Sequence, residues 1–556
     1  MPFQPARRRF VGTSAALAAA AALPSWARRG EHGGDAKVFR HGVASGDPLQ
    51  ERVILWTRIS PATLRDRIEV RWRITQDPAL RRTVASGRVV TDAARDFTVK
   101  IDATGLRPGT TYYYQFSAGG THSPVGRTKT LAAAGLDHAR LAVACCANYP
   151  YGFFNVYALI AQRHDLDAVL HLGDYLYEYA NADYGDGRPL GRVPLPDREI
   201  VSLSDYRERH ACYKGDADLQ EAHRQHPWIC IWDDHESAND SWMGGAENHQ
   251  PDTEGDWLQR KTASIRAYRE WMPVRDPSGW LDVSPTALRG TRDGRIDPLF
   301  RSFRFGELAD LIMLDTRLYG RDDAAHDPTG QKYTAVAADD PTINDPRRSL
   351  LGFDQEAWLY GELARSKQRG ATWQVLGQQV MMAQLSVTRG ATLSSRDQWD
   401  GYKPSRDRLF AAAQERQVHD LVVLTGDQHN TWANDLTANP WDGQYDAATG
   451  RGVVGVEYVV PAVSSPGLAA ADIPEQSAAL KAGAPHMRYV ELQLRGYGVL
   501  DLTPERVQGE FWHVDRVDTP SRQETLGSAM LSLRGKPGLV AASGASQPKA
   551  AADPAP

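Results

Sequence analysis

Val169-Leu170-His171-Leu172-Gly173-Asp174-Tyr175-Leu176-Tyr177-Glu178 is a short apolar run that stops at a glycine and then presents an acid and a phenol. A run of this length bounded by Gly reads as a strand buried on both faces, as in parallel sheets flanked by helices. Three further runs share the design: Ala142-Val143-Ala144-Cys145-Cys146-Ala147-Asn148, Ile229-Cys230-Ile231-Trp232-Asp233-Asp234-His235-Glu236 with Asn239 following, and Val422-Val423-Leu424-Thr425-Gly426-Asp427-Gln428-His429. In open α/β sheets ligands gather beyond the carboxyl ends of the strands, so these four termini are expected to meet.

Strand-like runs at 309–314 and 372–376 belong to the same set, and they alternate with helical patterns over 154–164, 258–271 and 355–367. That alternation predicts an α/β catalytic domain over 138–520. Ahead of it, 38–131 shows short β-rich runs (53–59, 68–74, 97–101, 111–116) between Gly and Pro turns, which predicts a small all-β, immunoglobulin-like sandwich serving as a packing module. Pro108-Gly109 before Thr111-Tyr112-Tyr113-Tyr114 suggests a tyrosine corner. Stretches 184–197, 243–256 and 319–347 are long enough to be loops over a site. Residues 536–556, rich in Ala, Ser, Gly and Pro, read as a disordered tail.

Each strand-end motif taken singly has a bland explanation. Gly-Asp is a common turn, a buried Cys is usually a small hydrophobe, and Asp-Asp-His can cap a helix. Together they concentrate carboxylates, imidazoles and a thiol in one place. Like charges in a cleft force protonation unless cations neutralise them, so a metal centre is the natural reading. Successive strand residues face opposite ways, so one of the vicinal cysteines points at the site. Cys146, nearer the strand end, is the candidate, while Cys145 and Cys230 read as core.

Cys146 with its aromatic flank, Gly173 to Glu178, Trp232 to Glu236 with Asn239, and Thr425 to His429 together resemble the PhoD-type alkaline phosphatases, within the calcineurin-like metallophosphatases and related to purple acid phosphatases. Segments 267–273, 397–402 and 485–489 agree. The resemblance implies a four-layer metallophosphatase sandwich holding iron(III) and calcium. It implies Cys146 and Tyr177 as ferric ligands, Asp174 as the bridge to calcium, Asn239 and Asp427 completing the shell, and Asp234, His235 and His429 in or beside it. Thiolate and phenolate donors suit a ferric ion, and Asp and Asn oxygens suit calcium. The implied activity is hydrolysis of phosphate monoesters and diesters by metal-activated hydroxide, with His235 and Asp234 as catalytic residues and His235 protonating the leaving group or orienting phosphate. Some members carry a basic residue directly after the Gly-Asp, where this sequence has Tyr175. Arg207 and Arg317 are candidates to supply that charge. Tyr149, Tyr151, Trp232, Trp242 and Trp432 either rim the site or pack the core.

The N-terminus runs Arg7-Arg8-Arg9-Phe10-Val11, an alanine-rich apolar stretch to Leu23, then Ser25-Trp26-Ala27. Charge, a short apolar run and small residues define an export signal, here of twin-arginine type, over 1–27. The apolar run is shorter than the roughly 20 residues a membrane anchor needs. Cleavage after Ala27 removes three arginines and takes the formal net charge from −5 to −8. A periplasmic or secreted location, passage through the twin-arginine machinery and a monomeric state are expected. Near-balanced charge, 64 basic against 69 acidic side chains, gives no nucleic-acid footprint. Four cysteines without paired C-x-x-C spacing exclude a disulfide scaffold and structural zinc. Two rival readings stand beside the phosphatase: a phosphodiesterase or phospholipase D-like enzyme on the same fold, and a cell-envelope binding protein with a degenerate site.

Overall fold

The structure is a computed structural model that describes residues 37–61, 67–276, 296–324, 336–386, 392–393, 395–468 and 473–556. The expected export signal lies outside the described residues. The first part of the chain forms β1 (Val43–Gly46), β2 (Arg52–Arg58), β3 (Ile68–Thr75), β4 (Thr83–Thr91), β5 (Thr98–Thr104), β6 (Thr111–Ala118), β7 (Thr121–His122) and β8 (Gly126–Lys129). Tyr112, at the start of β6, accepts a hydrogen bond at its hydroxyl from the Arg107 backbone N–H five residues upstream, the predicted tyrosine corner (2.8 Å). This part is all-β apart from one turn of 3-10 helix, among the described residues.

The remainder supplies β9 (Ala139–Ala144), β10 (Ala168–His171), β11 (Pro227–Cys230), β12 (Arg301–Phe305), β13 (Ala309–Met313), β14 (Val336–Ala337), β15 (Trp373–Gln378), β16 (Thr392–Leu393) and β17 (Leu421–Thr425). It continues with β18 (Thr431–Thr437), β19 (Val453–Val459), β20 (Met487–Glu491), β21 (Gly496–Leu502), β22 (Arg506–Val514), β23 (Glu524–Leu533) and β24 (Lys536–Ala541). Two large sheets result. One has ten strands in the order β24-β23-β22-β21-β9-β10-β11-β1-β2-β5, the other seven in the order β12-β13-β15-β17-β19-β18-β20.

At the centre of each sheet the pairing is parallel: β9-β10-β11-β1 in one, β13-β15-β17-β19 in the other. These strands are the apolar runs of the sequence, and they are buried along their length because the sheets have neighbours on both faces. Leu141, Val143 and Leu170 of the first sheet share a core with Val375, Val422 and Leu424 of the second. A second core joins Ile312, Leu376 and Val423 to Leu359, Leu363, Leu409 and Phe410 of the helices Phe353–Arg369 and Lys403–Glu415.

Two expectations change. The boundary between 38–131 and 138–520 does not separate two sheets, because β1 pairs in parallel with β11 and carries β2 and β5 into the ten-stranded sheet. The 536–556 tail is ordered: β24 pairs with β23, Lys549 pairs with Asp167 at 2.8 Å, and the backbone carbonyls of Asp553 and Pro556 accept from Tyr113 and Arg224. Composition gave no periodic signal there, since this tail is held by hydrogen bonds to its backbone, a part-buried ammonium and isolated apolar contacts such as Leu539 rather than by a periodic apolar face.

Candidate metal centre

The chain turns sharply where each parallel strand ends. Cys146, Asp174, Asp427 and His429 all adopt left-handed backbone, with φ of 60°, 54°, 60° and 59°. That conformation costs a non-glycine residue of order 1–3 kcal/mol and collects at functional sites. Its effect is to take these residues out of strand alternation and aim them together. Gly173 is required for a different reason: a Cβ there would fall 2.4 Å from the Cβ of Asp233. The glycine lets the end of β10 lie against the segment that follows β11.

Three overlapping groups of donor atoms result, each with its atoms within 4.8 Å of one another: Cys146, Asp174 and His429; Asp174, Asp234 and His235; Asp233, Asp234 and Asp427. Asp174 belongs to two of them and Asp234 to two. Tyr177 closes the ring, donating from its phenol to Asp174 Oδ2 (2.9 Å) while accepting from Ser465 Oγ (2.6 Å), with His429 Nε2 3.1 Å away. His429 Nδ1 lies 2.6 Å from the Pro466 carbonyl, which can only accept, so Nδ1 carries the proton and Nε2 keeps its lone pair for the centre. His235 Nδ1 is held by Glu178 Oε2 at 2.7 Å, leaving its Nε2 for the site.

Burial and mutual repulsion set the charges. Burial pushes the Cys146 thiol up, with Cys145, Asp174 and Asp427 adding to it, and the Tyr177 phenol up, with Asp174 and Cys146 adding to it. Asp233 is driven up by burial despite Arg317, and Asp427 is raised to about 6 by burial, partly offset by Arg317. Asp234 goes the other way: burial is outweighed by Arg317, His235 and the Asp240 N–H. His235 is raised well above the usual imidazole range, burial being overcome by Glu178, Asp234 and Asp174.

The donor set fits metal cations. Asp174 Oδ1 and Asp233 Oδ2 are buried and accept no hydrogen bond from the protein, and each belongs to one of the donor groups. One guanidinium, that of Arg317, faces the acids: it reaches Asp233 (2.5 Å), Asp397 (2.9 Å) and Asp427 (3.0 Å). A cavity of about 670 Å³ lies elsewhere, on β3 and β6 around Arg67, Glu69 and His122, and carries none of this chemistry.

Comparison with known proteins agrees with this geometry. Residues 141–511 match the family model of the PhoD-like phosphatase, and 25–132 match the model of its N-terminal domain. The chain belongs to the PhoD-like phosphatase family. Alkaline phosphatase D of Bacillus subtilis (strain 168) is 33% identical over 511 residues, covering 90% of this chain and 82% of that protein. The solved structure of PhoD superposes with a TM-score of 0.80 at 32% identity, covering 92% of this chain and 93% of the other. This PhoD-like chain is accordingly a phosphoric ester hydrolase.

Of the residues singled out in the sequence, the PhoD-like fold brings Cys146, Asp174, Tyr177, Asp234, His235, Asp427 and His429 together. Asn239 is turned aside: its amide donates to Glu247 (2.9 Å) and its backbone N–H to Glu178 (2.7 Å). The two proposed sources of positive charge do other work. Arg207 pairs with Glu270, and Arg317 is fully buried and engaged by four carboxylates, those of Asp233, Asp234, Asp397 and Asp427. Trp232 and Trp432 are core, whereas Tyr151 is 37% exposed. Sequence reading missed Arg317's neutralising role, Asp397, and the clamp formed by Glu236, whose carboxylate accepts from the backbone N–H groups of Asp174, Tyr175 and Asp233. Arg317 follows β13 as Asp174 follows β10, so a fifth strand-end signal was available.

Proposed function

We propose that the chain is an exported, metal-dependent phosphatase that hydrolyses phosphate monoesters and diesters. The observation that carries this is the sharing of Asp174 and Asp234 among three donor groups, with one guanidinium against the surrounding acids. Iron(III) held by Cys146 and Tyr177, and calcium held by Asp174 and Asp427, match the donor chemistry, with His429 beside them. Such cations, when bound, lower the pKa of water and neutralise phosphoryl oxygens.

The chain's own residues supply the rest. His235, kept protonated by Glu178 and Asp234, offers its Nε2 proton to the leaving oxygen. Asp234 is fixed for this role by the backbone N–H groups of His235 (3.0 Å) and Asp240 (2.6 Å). Tyr184, stacked 6.1 Å from the His235 ring, and Tyr177, tilted against it at 4.1 Å, keep water from the imidazole. A four-layer arrangement, an immunoglobulin-like N-terminal unit and a monomeric state complete the reading. Export by the twin-arginine route, with removal of 1–27, accords with the signal pattern. None of the described helices is long and apolar enough to cross a membrane.

The test is hydrolysis of p-nitrophenyl phosphate and bis-p-nitrophenyl phosphate by the purified protein, beside elemental analysis. Hydrolysis of both with bound iron supports the reading. A metal-free protein that hydrolyses neither would return it to an envelope-binding role.

A further inference from the structure

A guanidinium without an acid stands beside the centre. The segment Val463–Gly467 carries two of the centre's supports: Ser465 Oγ donates to Tyr177 and the Pro466 carbonyl accepts from His429. Arg495 grips this segment from outside, donating from Nε to the Ser465 carbonyl and from Nη1 to the Gln493 carbonyl (2.5 Å). Among the described residues no carboxylate forms an ion pair with it. After burial, the Tyr151 hydroxyl acts on it most, through charge and a side-chain hydrogen bond, ahead of Glu491, whose oxygens go to the backbone N–H groups of Gln493 and Leu494. Other arginines around the centre are spent: Arg192 pairs with Asp216, Arg209 donates to the backbone carbonyls of Tyr179, Leu195, Pro196 and Arg198, and Arg317 serves four acids.

A cavity of about 300 Å³ opens over Arg495, walled by Tyr151, Leu468, Leu494 and Val517. Tyr151 and Leu494 are 37% and 40% exposed, so this wall faces solvent, and Gln493 and Asp515 add polar groups to it. Arg516 at its edge is already paired with Asp515 (3.2 Å). The cavity and the centre share a partition. Tyr151 packs against Gly185, where a Cβ would come within 3.4 Å of it, and the preceding Tyr184 reaches His429. An ester whose phosphoryl group lies at the centre would therefore direct its alcohol part along Tyr184 and Tyr151 towards a cation.

We propose that this cavity is the subsite for the alcohol part of the substrate, and that Arg495 selects phosphate esters whose alcohol carries an anionic group such as a carboxylate. The inference rests on the phosphatase reading above. Arg495 then supplies the substrate-facing charge that Tyr175 does not, but at the leaving group rather than at the phosphoryl oxygens. A charge-assisted hydrogen bond of this kind contributes about 1.5–3 kcal/mol, tenfold or more in affinity.

The experiment compares 4-carboxyphenyl phosphate with 4-nitrophenyl phosphate in the wild-type protein, Arg495→Gln and Arg495→Lys. The expected result is a KM for the carboxylated ester raised about tenfold in Arg495→Gln and partly restored in Arg495→Lys. On that account kcat is unchanged and the nitrophenyl ester is unaffected. Equal losses on both esters, or a fall in kcat on both, would make Arg495 a mere brace for Ser465 and Pro466 and overturn the proposal. Unchanged KM in both variants would overturn it as well. A metal-loaded wild-type protein inactive on both esters would instead overturn the phosphatase reading on which it rests.

Discussion

Glu178 Oε2 lies 2.7 Å from His235 Nδ1, and both groups are buried. The carboxylate fixes the ring's orientation and proton, leaving Nε2 to face Asp174 and Asp234. If His235 protonates the leaving oxygen, its loss should matter most for poor leaving groups. His235→Asn is expected to lower kcat roughly hundredfold or more on an alkyl phosphate and much less on p-nitrophenyl phosphate, whose phenolate departs unaided. Glu178→Gln should show the same pattern, more weakly. Equal losses on both substrates would assign the pair a purely structural role.

Cys146 is held in left-handed backbone with its thiol in one donor group with Asp174 and His429. Cys146→Ala should lose bound iron and fall at least a hundredfold in rate. Cys145, whose sulfur faces the carbonyls of Val460 and Pro461, should tolerate Ala with its metal content intact. Elemental analysis of the two variants, beside their visible spectra, distinguishes the neighbours. Iron retained by Cys146→Ala and lost by Cys145→Ala would reverse the assignment.

Lys214 is fully enclosed, 3.0 Å from the Tyr175 hydroxyl and 3.2 Å from His223 Nε2, beneath the ring of Trp56 and near His41, His171, His210 and Cys230. Burial lowers its pKa to about 7. Between pH 7 and the usual lysine value near 10.4 the unfolded chain holds a proton that the folded one does not, so stability rises with pH across that window. The penalty, on the order of 4–5 kcal/mol, is fully present below pH 7. Lys214→Met should therefore raise Tm at pH 7, with the gain shrinking towards pH 10. A gain of the same size at both pH values would show that Lys214 is not the titrating group.

The strands were legible because each is a continuous apolar run. The predicted 309–314 and 372–376 fall on the observed Ala309–Met313 and Trp373–Gln378. The clustering of donor groups was legible because chemistry and strand ends coincide in the chain, as in Gly173-Asp174 and Gly426-Asp427. Contacts made at long range were not legible. Arg317 meets Asp397 across 80 residues and Asp233 across 84, and no local pattern announces that four acids will gather on one guanidinium. The parallel pairing of Ser45 and Gly46 with Pro227 and Trp228 is equally invisible, because β1 reads like any strand of a small β domain.

The ordered tail gives a stability prediction. Lys549 shares Asp167 with Lys129, so Lys549→Ala leaves the carboxylate one partner and should cost about 1–2 kcal/mol. Deleting 545–556 also removes the bonds from Tyr113, Arg224 and Gln225 and should cost more. Urea denaturation of both variants measures the difference. Midpoints identical to that of the full chain would mean the tail contributes nothing in solution.

The claim that the Cys146, Asp174, Tyr177, Asp427 and His429 cluster is a hydrolytic metal centre is tested most directly by following p-nitrophenyl phosphate hydrolysis through removal and return of metal. Protein stripped by a chelator should lose its activity and regain it when iron(III) and calcium are supplied together. Full activity in the stripped, metal-free protein would contradict it.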